Sequence, residues 1–241
     1  MPLRLGATSF TINGSSTSAQ NLGSGNPSAG QTGTVNSGAT LTVSGSTVAV
    51  TISGNNATLT NLGAISQTGT GRVIRDNTGV SGLMVTNGSA TNSTALMQST
   101  DADVIQMNKA AASVTLNNYG TMIAGTTLSD SGNQVVDFNA IQAGANIVNN
   151  FSTGIMQATQ ADGVRPGVGG VVNNAGMIVG ASTIGASSDG VDAQTNTGVT
   201  INNVQTDSSV TPTISGARHG ITGGNTDVTV NGGAYTMSVL N

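Results

Sequence analysis

Short apolar segments recur along this chain with a period of about 29 residues, and this repeat limits the possible fold more than any other feature. One family of segments ends in an asparagine pair. Its copies are VTLNN at 114–118, IVNN at 147–150, VVNN at 171–174, VTINN at 199–203 and a weaker VTVNG at 228–232. Between the final residues of successive copies the spacings are 32, 24, 29 and 29 residues.

A second family of segments repeats in a different register. Its copies are GRVI at 71–74, ADVI at 102–105, NQVV at 133–136, DGVR at 162–165, DGVD at 189–192 and HGIT at 219–222. Counted on the third residue of each copy, the spacings are 31, 31, 29, 27 and 30 residues. A third apolar patch, such as GTMI at 120–123 and GMIV at 176–179, lies between the two families. Each period therefore holds three short strands separated by turns.

The strands alternate polar and apolar residues, which indicates one buried and one exposed face. We therefore predict an all-β fold, a single-stranded right-handed parallel β-helix with three short strands and about 29 residues per coil. In such a β-solenoid equivalent side chains form columns along the axis, about 4.8 Å apart. Residues 1–33 are predicted to form an N-terminal arm and a Ser/Gly-rich linker, and residues 34–241 the solenoid.

The asparagine pairs predict a structural ladder. Asparagine tolerates sharp bends, and side-chain amides stacked in register hydrogen-bond to the layers above and below. The expected members of this ladder are Asn118, Asn150, Asn174 and Asn203. The next position along the chain holds Tyr119 in one coil and Phe151 in the next, so these two rings are predicted to stack.

The NNxGxIxG and DGV-like segments resemble the passenger regions of autotransporters and related secreted adhesins. Residues 150–155 (NFSTGI) and 174–178 (NAGMI) carry the resemblance best, and it covers residues 55–241. The resemblance implies a right-handed β-helix at the bacterial cell surface or in the extracellular space. We expect a structural or adhesive role in a surface layer, fibre or biofilm matrix. The alternatives are a carbohydrate-active β-helix of the tailspike or lyase kind, and a stalk fragment of an autotransporter passenger.

Composition excludes several classes of function. Charged residues make up 7% of the chain, aromatic residues 2%, and the formal net charge is -4. Nucleic acid binding needs clustered positive charge to neutralise phosphates, so no nucleic acid partner is expected. No stretch of 18 apolar residues occurs, so no membrane-spanning helix is predicted. With no cysteine, the chain can form neither disulfides nor thiolate metal sites.

The repeat places Asn133, Asp162, Asp189 and His219 in one polar column. A catalytic interpretation makes His219 a general base oriented by Asp189. The repeat puts no nucleophile or second acid beside them, and such residues also begin strands by bonding nearby backbone amides. We therefore predict no catalytic residues and a protein that is not an enzyme.

The same alignment places Arg165 beside Asp192, which predicts an ion pair at the surface. Asp189 and Asp192 could offer oxygens to a Ca²⁺ ion at this turn. Because Ca²⁺ takes six to eight oxygen ligands, we predict neither a metal site nor a cofactor.

The two ends of the chain predict self-association. Residues 1–12 alternate in hydropathy, and residues 234–240 (AYTMSVL) form a strand with no polar cap after it. Uncapped solenoid ends expose strand edges that recruit further strands. A neighbouring part of a longer chain could cover them. Otherwise the expected partner is a second copy of this chain, joined end to end or through the arm. Surface glycans and host or matrix proteins are further candidate partners.

Overall fold

The computed structural model describes residues 9–23, 30–125, 133–181, 187–224 and 228–232. Over these ranges the chain forms 25 β-strands and no helix, and the strands are arranged in three sheets. Neighbouring strands of each sheet come from successive coils and run parallel. The chain is thus a right-handed parallel β-helix with three strands per coil, and the predicted fold class is confirmed.

Each coil contributes one strand to each sheet. Sheet A consists of β1 (Phe10–Ile12), β4 (Thr32–Val35), β7 (Thr58–Asn61), β10 (Leu83–Asn87), β13 (Val114–Asn118), β16 (Asn146–Asn150), β19 (Val171–Asn174), β22 (Val199–Asn203) and β25 (Val228–Asn231). Sheet B consists of β2 (Ser15–Ser16), β5 (Thr40–Val43), β8 (Ala64–Gln67), β11 (Leu96–Ser99), β14 (Thr121–Ala124), β17 (Ile155–Ala158), β20 (Met177–Gly180) and β23 (Thr213–Gly216). Sheet C consists of β3 (Gln20–Gly23), β6 (Val50–Ser53), β9 (Ile74–Asp76), β12 (Ile105–Met107), β15 (Val136–Asp137), β18 (Val164–Arg165), β21 (Asp189–Asp192) and β24 (His219–Thr222).

Coil length varies while the strands stay in register. Asn13 and Asn36 are 23 residues apart and bonded through their side chains, whereas the equivalent pair Asn118 and Asn150 is 32 residues apart. The connecting turns absorb this difference, so the sequence period of about 29 is an average rather than a fixed coil length. At about 4.8 Å per layer, the nine layers of sheet A give a rod roughly 38 Å long.

The core is a file of inward side chains along each sheet. In β13 the burial alternates residue by residue, with the apolar residues inside and the threonine outside. Because successive side chains in a strand point to opposite faces, each strand needs only two or three apolar residues to fill its layer. One file in sheet A, with every member at most 1% exposed, comprises Leu59, Val85, Leu116, Val148, Val172 and Ile201.

The predicted linker at 13–33 is wrong where the structure describes it. Residues 15–16 and 20–23 form β2 and β3, which pair with β5 and β6 in the next coil. Leu22 supplies the inward side chain and is fully buried. A single apolar residue is enough to seat this strand, so Ser/Gly-rich composition concealed a coil. Residues 24–29 lie outside the described residues.

The predicted N-terminal arm at 1–12 is described from residue 9. Residues 10–12 form β1, which pairs with β4 of the same chain and so begins the first coil. Residues 1–8 and the predicted terminal strand at 234–240 lie outside the described residues.

Candidate functional site

An inner asparagine ladder runs along the corner between sheets A and B. The structure brings the four predicted asparagines together and adds two more. From each member to the next, Nδ2 donates to Oδ1 over 2.8, 2.9, 2.8, 2.8 and 2.7 Å. The ladder comprises Asn61, Asn87, Asn118, Asn150, Asn174 and Asn203, each at most 2% exposed.

The ladder also bonds the backbone at this corner. Nδ2 of Asn118 donates to the carbonyl oxygen of Gly120 over 3.1 Å, and Nδ2 of Asn174 donates to that of Gly176 over 3.1 Å. A buried amide is stable only when its donors and acceptors are paired, and here the pairing comes from the next layer and the local turn. Asn87 was missed because its segment, LMVTN, lacks the asparagine pair, although the following glycine is a usable signal.

An outer ladder runs beside the inner one and was not predicted. In each asparagine pair the second residue points inward and the first points outward, because successive side chains alternate across a strand. The outer carboxamides are linked over 2.9, 2.8, 2.7 and 2.8 Å. Their residues are Asn117, Asn149, Asn173, Asn202 and Asn231.

Tyr119 and Phe151 lie in adjacent layers just after the inner ladder. Their ring centroids are 3.9 Å apart and the ring planes differ by 3°, so the structure brings together the pair that the sequence predicted. Such contact gives more than buried area alone, because stacked rings attract each other through their charge distributions.

The charged residues cluster on sheet C. Ten of the 16 charged residues in the sequence lie in its strands or within two residues before them. We call this set the charged edge. It comprises Arg72, Arg75, Asp76, Asp103, Asp137, Asp162, Arg165, Asp189, Asp192 and Arg218. The single histidine, His219, lies in the same column of strands.

The predicted polar column exists for Asp162, Asp189 and His219. Asp162 Oδ1 accepts the backbone N–H of Asp189 over 2.8 Å, and Asp189 Oδ1 accepts that of His219 over 3.1 Å. Asn133 is not a member, because Val136 rather than Val135 pairs with Val164. The sequence alignment was therefore wrong by one residue at this coil.

Gln134 takes the place that Asn133 was expected to hold. Its backbone N–H donates to Asp103 Oδ1 over 3.0 Å, which extends the column by one further layer. The side chain of Gln134 is buried, and its Nε2 atom has no hydrogen-bond partner. Gln134 lines a cavity of about 290 Å³ together with Asp162, Arg165, Asp192 and Arg218.

The predicted ion pair between Arg165 and Asp192 is wrong. Nη2 of Arg165 lies 2.6 Å from Oδ2 of Asp162, three residues earlier in the same coil. Asp192 instead accepts the backbone N–H of Gln194 over 2.9 Å, which turns its carboxylate towards its own turn. Alignment of the repeat gives the column but not the direction in which a long side chain folds.

Asp189 lies at the centre of the charged edge. Its side chain is fully buried and accepts two bonds from Arg218, over 3.1 Å to Nε and 2.5 Å to Nη2. Burial acts to raise the pKa of Asp189. Hydrogen bonds from Arg218 and Thr222, with the charges of Arg218 and His219, outweigh it and hold that pKa below its usual value. Asp189 is therefore an ionised structural anchor.

The other carboxylates of the charged edge differ from Asp189. Burial, followed by the nearby charges of Asp162 and Asp189, raises the pKa of Asp192 despite the bond from Gln194. Burial also raises the pKa of Asp103 to about 6, helped by the charge of Asp137 and opposed by Arg72, whose Nε lies 3.0 Å away. Two environments on one face thus separate proton-holding from ionised carboxyl groups.

The charged edge offers oxygens that a cation could use. Carboxylate atoms of Asp162, Asp189 and Asp192 all lie within 4.8 Å of one another. The guanidinium groups of Arg165 and Arg218 already neutralise two of the three carboxylates. A cation would have to displace these arginines, so the cluster is better described as an ion-pair network.

His219 is held by its neighbours. Its Nδ1 atom lies 3.2 Å from Oδ1 of Asp189 and 3.1 Å from Oγ1 of Thr222. The pairing resembles a base and its orienting carboxylate in geometry. The same Asp189 oxygen also accepts the backbone N–H of His219, which is the strand-starting role expected of such a residue.

No protein-family model, curated protein or solved structure matches this chain. Among the described residues, none belongs to a helix long and apolar enough to cross a membrane.

Proposed function

We propose that this chain is a non-enzymatic β-solenoid of the bacterial cell surface or extracellular space, with a structural or adhesive role in a surface layer, fibre or biofilm matrix. The inner asparagine ladder is the observation that carries the proposal. Its five consecutive bonds join six coils through side chains that are at most 2% exposed. Polar groups are thereby committed to holding the rod together.

The charged edge supports the same conclusion. Asp162 and Asp189 each accept a backbone N–H from the next coil and each pairs with an arginine. These bonds use the carboxylate oxygens that a general acid or base would need free. The acidic side chains that are richest in contacts therefore act as interlayer links.

The two ends of the described rod support self-association. Among the described residues, β1 pairs only with β4 and β25 only with β22. The inward side chains Phe10 and Val230 are packed against the core but only partly buried. An incompletely covered layer and a one-sided strand edge favour the addition of another coil. The partner is thus a second copy of this chain, stacked end to end.

Electron microscopy and size-exclusion chromatography test this proposal. We expect filaments or oligomers whose size grows with concentration. The variant Val230→Lys places a charge in the terminal layer and should abolish them. Met84→Lys, at a 46% exposed position on a middle strand of the same sheet, is the matched control and should assemble normally. A wild-type chain that stays a monodisperse monomer at high concentration contradicts the assembly.

Surface location and adhesion need their own measurements. On intact cells that make the protein, we expect antibody labelling and cleavage by added protease. Purified chain should be retained on immobilised extracellular matrix protein or surface glycan. Protection from protease on intact cells, with release on lysis, contradicts the proposed location.

A carbohydrate-active β-helix is the second candidate. The raised pKa of Asp192, beside the ionised Asp189, is the observation that favours it, because glycoside cleavage uses one protonated and one ionised carboxyl group. Release of new reducing ends from bacterial polysaccharides tests it, with Asp192→Asn as the inactive variant. Turnover that depends on Asp192 replaces the structural proposal. Equal background in both proteins supports it.

A further inference from the structure

One column of side chains after the inner ladder is interrupted by a small residue. Phe151, Ala175 and Val204 each donate a backbone N–H to the ladder asparagine of the preceding coil, over 2.9, 2.7 and 2.9 Å. These three residues therefore occupy successive layers. Tyr119 covers one face of the Phe151 ring at 3.9 Å. On the opposite side the next layer offers only the methyl group of Ala175.

The interruption leaves a slot between Phe151 and Val204. Successive layers lie about 4.8 Å apart, so these two residues are separated by roughly 9.6 Å along the axis. An aromatic ring in contact with both neighbours needs about 7 to 8 Å, at 3.5 to 4.0 Å per carbon contact. The slot thus has room for one ring and not for two.

The cavity has walls of the matching chemistry. Its volume is about 410 Å³, and it is lined by Phe151, Ala175, Val204 and Thr206 together with asparagines of both ladders. Ala175, 7% exposed, forms the floor, and Val204, 47% exposed, forms the wall opposite the Phe151 ring. The floor and both walls are apolar, whereas the rim carries amides.

We propose that this slot binds a single planar aromatic ring that carries a polar group at its edge, as in a phenol or an indole. The ring stacks on the open face of Phe151 and so continues the Tyr119–Phe151 stack by one layer. The phenol O–H or indole N–H then reaches the outer ladder, where Asn149, Asn173 and Asn202 line the rim. A carboxamide oxygen has two lone pairs, and the ladder uses one.

The occupant is an aromatic ring rather than a sugar or an aliphatic ring. A pyranose carries hydroxyl groups around its whole perimeter, and those facing Ala175 and Val204 would lose their water without gaining a partner. An aliphatic chair is thicker than a planar ring and has no π face to match that of Phe151. The planar slot and the existing stack therefore select for aromaticity.

This inference does not depend on end-to-end assembly, although it names a class of ligand for the adhesive role. The slot lies on the side of the rod, between coils that are both within the described residues. A chain that fails to assemble can still bind a ring. Val230→Lys, which is designed to block assembly, should therefore bind as the wild type does.

The test is NMR titration of protein labelled at its alanine methyl groups, with p-cresol and 3-methylindole as probes. We expect the Ala175 methyl signal to move upfield as a ring seats above it. Cyclohexanol and methyl glucoside should bind at least tenfold more weakly. A similar affinity for either control compound, or no shift at Ala175, overturns the proposal.

Two variants make the result specific. Ala175→Phe supplies the missing ring from the chain itself, so it should weaken binding of p-cresol at least tenfold. Phe151→Leu keeps an apolar side chain but removes the stacking face, and should weaken it at least fivefold. Met84→Ala, on an exposed position of another coil, should bind normally. Undiminished binding by folded Phe151→Leu protein overturns the proposal even if Ala175→Phe does not fold.

Discussion

Nδ2 of Asn150 lies 2.8 Å from Oδ1 of Asn174, although 24 residues separate the two along the chain. The same nitrogen lies 3.2 Å from the carbonyl oxygen of Gly154 and 3.1 Å from that of Met177. Because Asn150 is only 1% exposed, water cannot replace these bonds. One amide therefore ties its own turn to the next coil, and the repetition of this contact stabilises the whole corner.

Asn150→Ala should destabilise the protein by about 2 to 4 kcal/mol, because it leaves buried partners in both neighbouring coils without a hydrogen bond. Urea denaturation followed by circular dichroism measures the loss. Asn149→Ala is the matched control in the outer ladder, where a half-buried amide can be replaced by water, and should cost less than about 1 kcal/mol. Equal losses for the two variants would contradict a special role for the inner ladder.

The sequence predicted the inner ladder and the aromatic pair because both depend only on register within sheet A. There the asparagine pair marks each copy, and the observed pairing of Asn118 with Asn150 and of Asn150 with Asn174 follows it. Sheet C has no such marker. Val135 and Val136 are both apolar and fully buried, so either could be aligned with Val164, and the choice made was one residue out.

Side-chain partners on the charged edge could not be predicted in the same way. Arg165 is long enough to reach either Asp162 in its own coil or Asp192 in the next, and sequence spacing does not separate these choices. The buried pair of Asp189 with Arg218 was also missed, because Arg218 precedes its strand and lies outside the repeated segment. Local turn geometry, rather than period, decides these contacts.

Gly176→Ala should destabilise the protein by about 1 to 3 kcal/mol, because a packed corner must shift to accept a methyl group. A Cβ atom at Gly176 would lie 2.3 Å from the carbonyl oxygen of Gly154 and 2.4 Å from that of Phe151. This close approach explains the glycine that follows the asparagine pair. Gly14→Ala, where nothing lies within 4 Å, should be tolerated, and thermal unfolding compares the two. Similar melting temperatures for both variants contradict the explanation.

Asp103 should make the protein less stable as the pH rises. Burial raises its pKa to about 6 in the folded chain, so its favourable contribution is complete below pH 4 and is lost as the pH passes 6. A difference of about two pKa units corresponds to about 3 kcal/mol. Asp103→Asn mimics the protonated form and should remove this decline. Urea unfolding at pH 4 and pH 7.5 for both proteins gives the difference.

Asp207→Asn is a control of opposite sign for Asp103. The backbone N–H and the hydroxyl of Ser209 bond the exposed Asp207 and hold its pKa below the usual value, so its contribution is lost as the pH falls. Asp207→Asn should therefore leave the decline between pH 4 and pH 7.5 in place. If Asp103→Asn keeps the wild-type decline as well, another group causes it.

Arg218→Ala should cost about 2 kcal/mol, because it leaves the fully buried carboxylate of Asp189 without its guanidinium partner. The side chain of Arg218 is 41% exposed, so water moderates the loss. In the wild type the lowered pKa of Asp189 gives stability that is present above pH 4 and lost as the pH falls, and Arg218→Ala should move that loss to higher pH. Asp189→Asn combined with Arg218→Ala should cost less than the sum of the single changes, by about 1 kcal/mol or more. Strictly additive losses in urea unfolding would mean that the two side chains are neighbours without being energetically coupled.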